Sequence, residues 1–250
     1  VERRTSLELE IAKNVQDRLL PKVPAQLKSM NLAVRCIQAK SVGGDYYDFF
    51  DLGGGRLGLV LADVSGKGIH AALLMANLQA YIRSQCNTSP GRPGQMLKRV
   101  NRLMWESTAP EHFATLFYGI YDDHSHSLSY VNCGHNPPVV IHRGRIVRRL
   151  TATATVIGAF EQWHCEVRRS RLVPGDLLIV FSDGITEAVC GDEQFGDQRL
   201  IDLLLASGRL PVDGIADTVL TGVLEFSAGQ QSDDLTLIVA SVHEYRRRHT

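Results

Sequence analysis

The stretch KSVGGDYYDFFDLGGGRLGLVLADVSGKG, residues 40–68, constrains the fold more than any other part of the chain. Two runs of strand length, 46–50 and 57–62, are rich in aromatic and aliphatic residues and flank the glycine run 53–55. Glycine enters positive φ without steric cost, so this run predicts a tight turn. The stretch is therefore predicted to fold as a β-hairpin.

This hairpin would bring two carboxylates together at its open end. With the turn near Gly53, Asp45 begins one strand and Asp63 ends the other, so antiparallel pairing places them side by side. Side chains alternate along a strand, so Asp48 points away from Asp45. Neighbouring carboxylates repel unless a cation lies between them. The simpler alternative is a pair of solvated acids at strand ends.

The same arrangement is predicted a second time downstream. In GDLLIVFSDGITE, Asp183 is expected to close a strand, and in QSDDLTLIV either Asp233 or Asp234 is expected to open one. If both pairs lie on one rim, four or five carboxylates converge there. Oxygen ligands select hard divalent cations such as Mg²⁺ or Mn²⁺. The pattern thus suggests a phosphohydrolase in which two metal ions activate a water molecule.

Composition excludes several other classes of protein. Lys plus Arg and Asp plus Glu number 27 each among 250 residues, so no global field recruits nucleic acid or an anionic membrane. The apolar runs are too short to span a bilayer. The five cysteines are widely spaced without a CxxC, which argues against a disulfide framework and fits a reducing cytoplasm. The chain lacks a secretory signal and begins with Val, and we expect it to be a fragment of a longer protein.

The remaining pattern predicts one domain of antiparallel sheets with helices packed outside them. Apolar periodicity predicts helices over 5–20, from 69 to about 85, and over 95–108, 198–207 and 212–227. Strands are predicted over 31–40, 113–122, 127–134, 137–144 and 145–150, with a last strand over 233–244. In the first helix a stripe of Leu7, Ile11, Val15 and Leu19 suits either packing on the domain or pairing with a second helix.

Seven blocks in this order resemble the SpoIIE/RsbU-type bacterial PPM (PP2C-like) serine/threonine phosphatases. They are VGGDYYDFF, LADVSGKGIHAALLM, FATLFYGIYD, VNCGHNPPVV, PGDLLIVFSDGITEA, EQFG and DDLTLIV. The resemblance implies an α+β fold, a PP2C-like sandwich of two antiparallel β-sheets flanked by α-helices. It divides the chain into an N-terminal connector helix (1–24), a PPM-type phosphatase domain (25–244) and a basic tail (245–250).

The resemblance also implies the site and its chemistry. Asp63 would bridge two Mn²⁺ or Mg²⁺ ions with help from the backbone carbonyl of Val64. Asp45, Asp183 and Asp233 would complete the ligand set, with Asp233 preferred to Asp234 because related enzymes place the ligand first in an Asp-Asn pair. No cysteine or serine nucleophile is required.

The implied activity is hydrolysis of phosphoserine or phosphothreonine on a regulatory protein, a STAS-type anti-anti-sigma factor, in the cytoplasm. The opening segment resembles the helix that joins such domains to an upstream sensor, and it could form a homodimer. The alternative is a catalytically silent PPM domain that acts as a regulatory binding module.

Other motifs are given less weight. GGDYYD resembles the GGDEF signature of diguanylate cyclases, but Tyr46 and Tyr47 replace its second acid and the neighbouring residue, and the later blocks have no place in a cyclase. CGHN, with Cys133 and His135, is interpreted as a structural turn. Lys67 in GKG is expected to face solvent near the site. Lys40 and Ser41 stand where the eukaryotic branch has a phosphate-binding arginine.

Overall fold

The computed structural model describes residues 2–21, 27–109 and 111–244. Its helices are α1 (Glu2–Leu19), α2 (Ile69–Thr88), α3 (Pro93–Ser107), α4 (Asp183–Glu187), α5 (Gly196–Ser207) and α6 (Val212–Phe226). Its strands are β1 (Met30–Ile37), β2 (Asp45–Asp51), β3 (Arg56–Val64), β4 (Ala114–Asp122), β5 (Ser127–Cys133), β6 (Val139–His142), β7 (Arg145–Arg149), β8 (Arg168–Arg171), β9 (Asp176–Phe181), β10 (Val189–Cys190), β11 (Glu193–Gln194) and β12 (Leu235–Val242). The predicted boundary at residues 24 and 25 and the predicted tail 245–250 lie outside the described residues.

Two antiparallel five-stranded sheets form the centre of the molecule. Sheet A has the strand order β1-β12-β9-β6-β7, and sheet B has the order β2-β3-β4-β5-β8. Strands β10 and β11 form a separate two-stranded ribbon. Sequence neighbours mostly pair within sheet B, whereas in sheet A the last strand, β12, lies between β1 and β9.

Apolar side chains fill three layers and hold the two sheets in register. Between the sheets, residues such as Leu59 and Phe117 of sheet B pack with Val180 and Ile238 of sheet A. The outer face of sheet B packs on α2 and α3, and the outer face of sheet A packs on α5 and α6. This α-β-β-α sandwich confirms the predicted fold class. It also fixes the strand ends of the two sheets relative to each other, since burying one large apolar side chain contributes about 1.5–3 kcal/mol.

The structure corrects one predicted strand end. Strand β9 ends at Phe181, and Asp183 is the first residue of α4 instead of the last residue of a strand. The ladder stops because the partner strand β12 begins only at Leu235. Asp233 and Asp234 accordingly precede β12 and do not belong to it.

Helix α1 docks on the domain by a side other than its predicted apolar stripe. Leu7, Ile11 and Val15 are 58%, 56% and 56% exposed, so the domain does not cover the stripe. The buried contact is polar: the Gln16 amide nitrogen donates to the Gly43 carbonyl at 2.8 Å, and the Gly43 N–H donates to the Gln16 amide oxygen at 3.0 Å.

The described residues also give the state of the cysteines and the character of the helices. All five cysteines are free thiols, as the absence of a disulfide framework predicts. Across the residues that the structure covers, no helix combines the length and apolarity needed to cross a bilayer.

Candidate functional site

The hairpin of β2 and β3 places Asp45 directly opposite Asp63. The two strands pair in antiparallel register from Asp45↔Asp63 to Asp51↔Leu57. Their connection contains Gly53, Gly54 and Gly55, all with φ between 61° and 73°, a region that glycine enters freely. The predicted hairpin and the predicted meeting of two carboxylates at its open end are confirmed.

Asp45 lies at the end of the layer between the two sheets. Its side chain is buried, and the hydroxyl of Thr236, on β12 of the other sheet, donates to Asp45 Oδ2. Burial, and next the neighbouring Asp63 carboxylate, raise the pKa of Asp45 well above its usual range. An ionised Asp45 is therefore costly here unless a cation joins it.

The pKa of Asp63 is also raised. Burial, and after it the negative charges of Asp183 and Asp233, together raise the pKa of the Asp63 carboxyl to about 7. The Lys67 ammonium acts in the opposite direction. Asp183 follows β9 and Asp233 precedes β12, both strands of sheet A, and their charges act on Asp63 of sheet B. These acids therefore share one edge of the sandwich.

Asp183 is held at this edge by the close approach of two backbones. A Cβ on Gly184 would lie 2.1 Å from the carbonyl oxygen of Asp234, so only glycine allows α4 to start there. Burial raises the pKa of Asp183, with smaller contributions from Glu187 and Asp233. Glycine is therefore required after Asp183 because close packing of the two backbones places Asp183 next to the segment before β12.

The two acids of the last block have different roles. Asp234 accepts hydrogen bonds from the backbone N–H groups of Ala39 (2.8 Å) and Gly44 (2.7 Å), so it organises the loop before Asp45. A Cβ on Gly43 would lie 2.0 Å from Asp234 Oδ2, so the loop needs glycine at that position. Asp233 instead pairs with the Lys67 ammonium at 2.6 Å, in a small recess that both aspartates line together with Lys40 and Lys67. Asp234 is thus held by backbone N–H groups of the loop, whereas the charged partner of Asp233 is a half-exposed lysine side chain.

Asp48 lies apart from the other acids, as strand alternation predicts. Its fully buried carboxylate accepts two hydrogen bonds from the Arg83 guanidinium, at 2.7 and 3.0 Å. The hydroxyl of Tyr46 and the N–H of Phe49 complete its shell, both at 2.8 Å. Asp48 is a structural acid that joins β2 to α2.

The acids line a common edge without forming a tight cluster. Among the residues that the structure describes, no group of three or more His, Cys, Asp or Glu side chains could hold one metal ion as placed. The shared edge and the mutually raised pKa values are therefore the structural basis for the predicted site.

Comparisons with known proteins identify the family. The family model described as Stage II sporulation protein E (SpoIIE) matches residues 53–243. The chain belongs to the SpoIIE family of PP2C-like phosphatases. The chain is 31% identical to Phosphoserine phosphatase RsbU of Bacillus subtilis over 244 residues, covering 96% of the chain and 71% of that relative. Protein IcfG of Synechocystis is 31% identical, and the chain spans only 41% of its length.

Solved structures show that the SpoIIE-family chain shares the PP2C fold. The SiaA-PP2C domain of Pseudomonas aeruginosa matches with a TM-score of 0.84 at 20% identity, covering 97% of this chain and 98% of that one. The catalytic domain of the serine threonine protein phosphatase PstP, solved in complex with 2 manganese ions, matches with a TM-score of 0.63 at 17% identity, covering 86% and 99%.

Several residues that position this SpoIIE-family site escaped the sequence analysis. Gln16 joins α1 to the Gly43 loop, Arg83 neutralises Asp48, and Thr236 reaches Asp45 from the other sheet. The partners in these three contacts are separated by 27, 35 and 191 positions along the chain, so no local sequence pattern predicts them. The one available signal was Gln16 itself, a polar residue beside the apolar stripe of α1.

His135 confirms the structural interpretation of the CGHN turn. Its imidazole is buried and shares a hydrogen bond of 2.9 Å with the hydroxyl of Thr115, the residue opposite Asp63 on β4. Burial lowers the pKa of His135 to about 4, which keeps the ring neutral near pH 7. The turn thus supports the strand that carries Thr115 and adds no charge to the site.

Proposed function

We propose that the chain is a metal-dependent phosphatase that hydrolyses phosphoserine or phosphothreonine on a regulatory protein. The observation that carries this proposal is the direct cross-strand pair Asp45↔Asp63 at an edge shared with Asp183 and Asp233. Family membership supports the reaction class, and RsbU is a named phosphoserine phosphatase. The metal requirement agrees with PstP, which was solved with manganese.

The residues at this edge fit a hard divalent cation. A Cβ at Gly44 would lie 2.9 Å from the Val64 carbonyl oxygen and 3.3 Å from Asp63 Oδ1, so glycine leaves room between these two donors. Every donor is an oxygen, which suits Mn²⁺ or Mg²⁺. We infer that Asp45, Asp63, Asp183, Asp233 and the Val64 carbonyl hold two such ions. Bound there, they would supply Lewis-acid activation of water and neutralise phosphoryl charge.

The chain's own residues keep these donors in position. Asp234 ties the backbone of Ala39 and Gly44 together, and Thr236 orients the Asp45 carboxylate. A cysteine nucleophile is disfavoured, because burial raises the pKa of Cys36 to about 12 and that of Cys86 to about 11. Both groups are therefore thiols and poor nucleophiles near neutral pH. We therefore propose water as the attacking group, as the resemblance to PPM phosphatases implies.

The proposed substrate is a phosphorylated STAS-type anti-anti-sigma protein in the cytoplasm. This inference rests on the resemblance to RsbU-type phosphatases and on the relatives' names. The chain spans 41% to 71% of the length of three such relatives. An upstream sensor domain, and the division into a connector helix and a phosphatase domain, are part of the same proposal.

The decisive experiment is phosphate release from a phosphoserine protein, with and without millimolar Mn²⁺. We expect Mn²⁺-dependent turnover that Asp183→Asn abolishes. The matched control is Asp197→Asn, an exposed acid on α5 paired with Arg149, which should leave turnover unchanged. A folded domain without turnover under any metal would contradict the proposal and favour a catalytically silent regulatory module.

Pairing of α1 with a second copy is a separate part of the proposal. Its support is the uncovered stripe of Leu7, Ile11 and Val15. Changing all three to serine should convert a dimer to a monomer in a light-scattering measurement of mass, because the apolar contact is removed. Gln16, which docks the helix, stays intact in this variant. A wild-type chain that is monomeric at high concentration would refute the pairing.

A further inference from the structure

Lys67 occupies a fixed place in the turn between β3 and α2. It lies between Gly66 (φ 101°) and Gly68 (φ 74°), whose backbone conformations favour glycine. Its ammonium contacts Asp233 Oδ2 at 2.6 Å and donates to the Ser232 carbonyl oxygen at 2.9 Å. The prediction that Lys67 faces solvent is half right, since its side chain is 52% exposed while its charged end is bound.

Both carboxylate oxygens of Asp233 are already engaged by the chain. Oδ1 accepts the N–H of Asp234 at 2.9 Å, and Oδ2 is paired with Lys67. A divalent cation that binds Asp233 through Oδ2 would occupy the position that the Lys67 ammonium now holds. Two cations repel strongly at such short separations. Metal binding at Asp233 thus requires that Lys67 move away.

We propose that Lys67 is an internal counter-cation that competes with the divalent cation for Asp233 and so sets the affinity of the site for metal. The inference rests on the proposed function. Without metal, Lys67 offsets the repulsion among Asp63, Asp183 and Asp233. With metal, the ammonium is released, and its half-exposed stem lets it swing into solvent.

Lys40 provides a matched control within the same recess. It lines the recess together with Lys67 and Asp233, and its Cδ lies 4.0 Å from where a Cβ on Gly68 would be. Its side chain carries the same charge and is exposed. General loss of positive charge near the site would therefore affect Lys40→Met and Lys67→Met alike, whereas competition for Asp233 affects only the second.

The test is a calorimetric titration of the purified chain with Mn²⁺, without substrate. We expect Lys67→Met to bind one Mn²⁺ about three- to tenfold more tightly, which exceeds the effect of a simple surface ion pair because a nearby positive charge is also lost. Lys67→Arg, which can keep the ion pair, should resemble the wild type. Without metal, Lys67→Met should also melt at a lower temperature. In the Asp233→Asn background, Lys67→Met should bring no further gain in affinity.

Each outcome decides for or against the competition. Unchanged or weaker Mn²⁺ binding by Lys67→Met, or an equal gain in Lys40→Met, would overturn it while leaving the proposed phosphatase standing. Binding by Lys67→Met but not by the wild type would support it. If neither protein binds Mn²⁺, both the competition and the proposed metal site fail.

Discussion

Asp45 and Asp48 lie three residues apart on β2, both are buried, and the chain treats them in opposite ways. Asp48 faces α2 and receives four hydrogen bonds, two of them from the Arg83 guanidinium. Asp45 faces the edge between the sheets, where its closest ionised neighbour on the paired strand is another acid, Asp63. A buried charge is tolerated only when it is paired. One acid is thus neutralised within the chain, and the lack of such a partner at the other agrees with the proposal that Asp45 binds a cation from outside.

The largest loss of stability is expected when the buried Asp48 loses its partner Arg83. Arg83→Met leaves the Asp48 carboxylate buried without its counter-charge, and breaking such a pair costs about 3 kcal/mol in the free energy of unfolding. Urea denaturation measures this. The control is Arg102→Met, whose ion pair with Glu106 is exposed on α3 and should matter little. Equal losses in the two variants would remove the distinction between the two acids.

Substitution of Asp45 should change the phosphatase activity. Asp45→Asn removes a ligand, and we expect metal-dependent phosphate release to fall by at least about 100-fold, the upper end of what loss of a ligand's supporting partner costs. Because the change also removes a buried charge beside Asp63, stability without metal should stay the same or rise. Asp51→Asn, at the turn end of the same hairpin, is the control. Full activity in Asp45→Asn would exclude Asp45 from the site.

Asp233 and Asp234 repeat the comparison on the other sheet. Asp234→Asn weakens the charge-assisted hydrogen bonds to Ala39 and Gly44, which should lower the free energy of unfolding by about 2 kcal/mol. Asp233→Asn should leave folding nearly intact and weaken Mn²⁺ binding. Thermal melts and metal titrations of both variants separate the roles. The reverse result would make Asp234 the ligand.

The last effect is gradual, a pH dependence of the stability of the metal-free protein. The folded-state pKa of Asp63, about 7, lies above its unfolded value, so between about pH 4 and 7 the folded state binds more protons than the unfolded state. The free energy of unfolding should therefore fall as pH rises through this window, by up to about 1.4 kcal/mol per pH unit for one proton. Urea melts across this range measure the slope, and Asp63→Asn should flatten it. A rising slope would contradict the raised pKa.

The local sequence pattern predicted the placement of several acids at this edge. The glycine run between two apolar segments specified a hairpin, and strand alternation then placed Asp45 beside Asp63 and Asp48 on the opposite face. The strand model failed at Asp183, because whether β9 continues depends on where its partner begins, more than 50 residues further along the chain. Asp183 and Asp233 still lie at the same edge as Asp63, because they flank β9 and β12, two strands that pair with each other.

By itself, the sequence determined the antiparallel hairpin, most of the helix and strand types, and the presence of acids at or beside several strand ends, because these follow from the local periods of side chains and from glycine's conformational freedom. Only the tertiary structure decided which acids are neutralised and which stay open. Arg83, Lys67, Thr236 and Gln16 make their contacts across long stretches of chain, and packing of the two sheets through a shared apolar layer brings those partners together. The charge balance of the edge is thus a property of the fold.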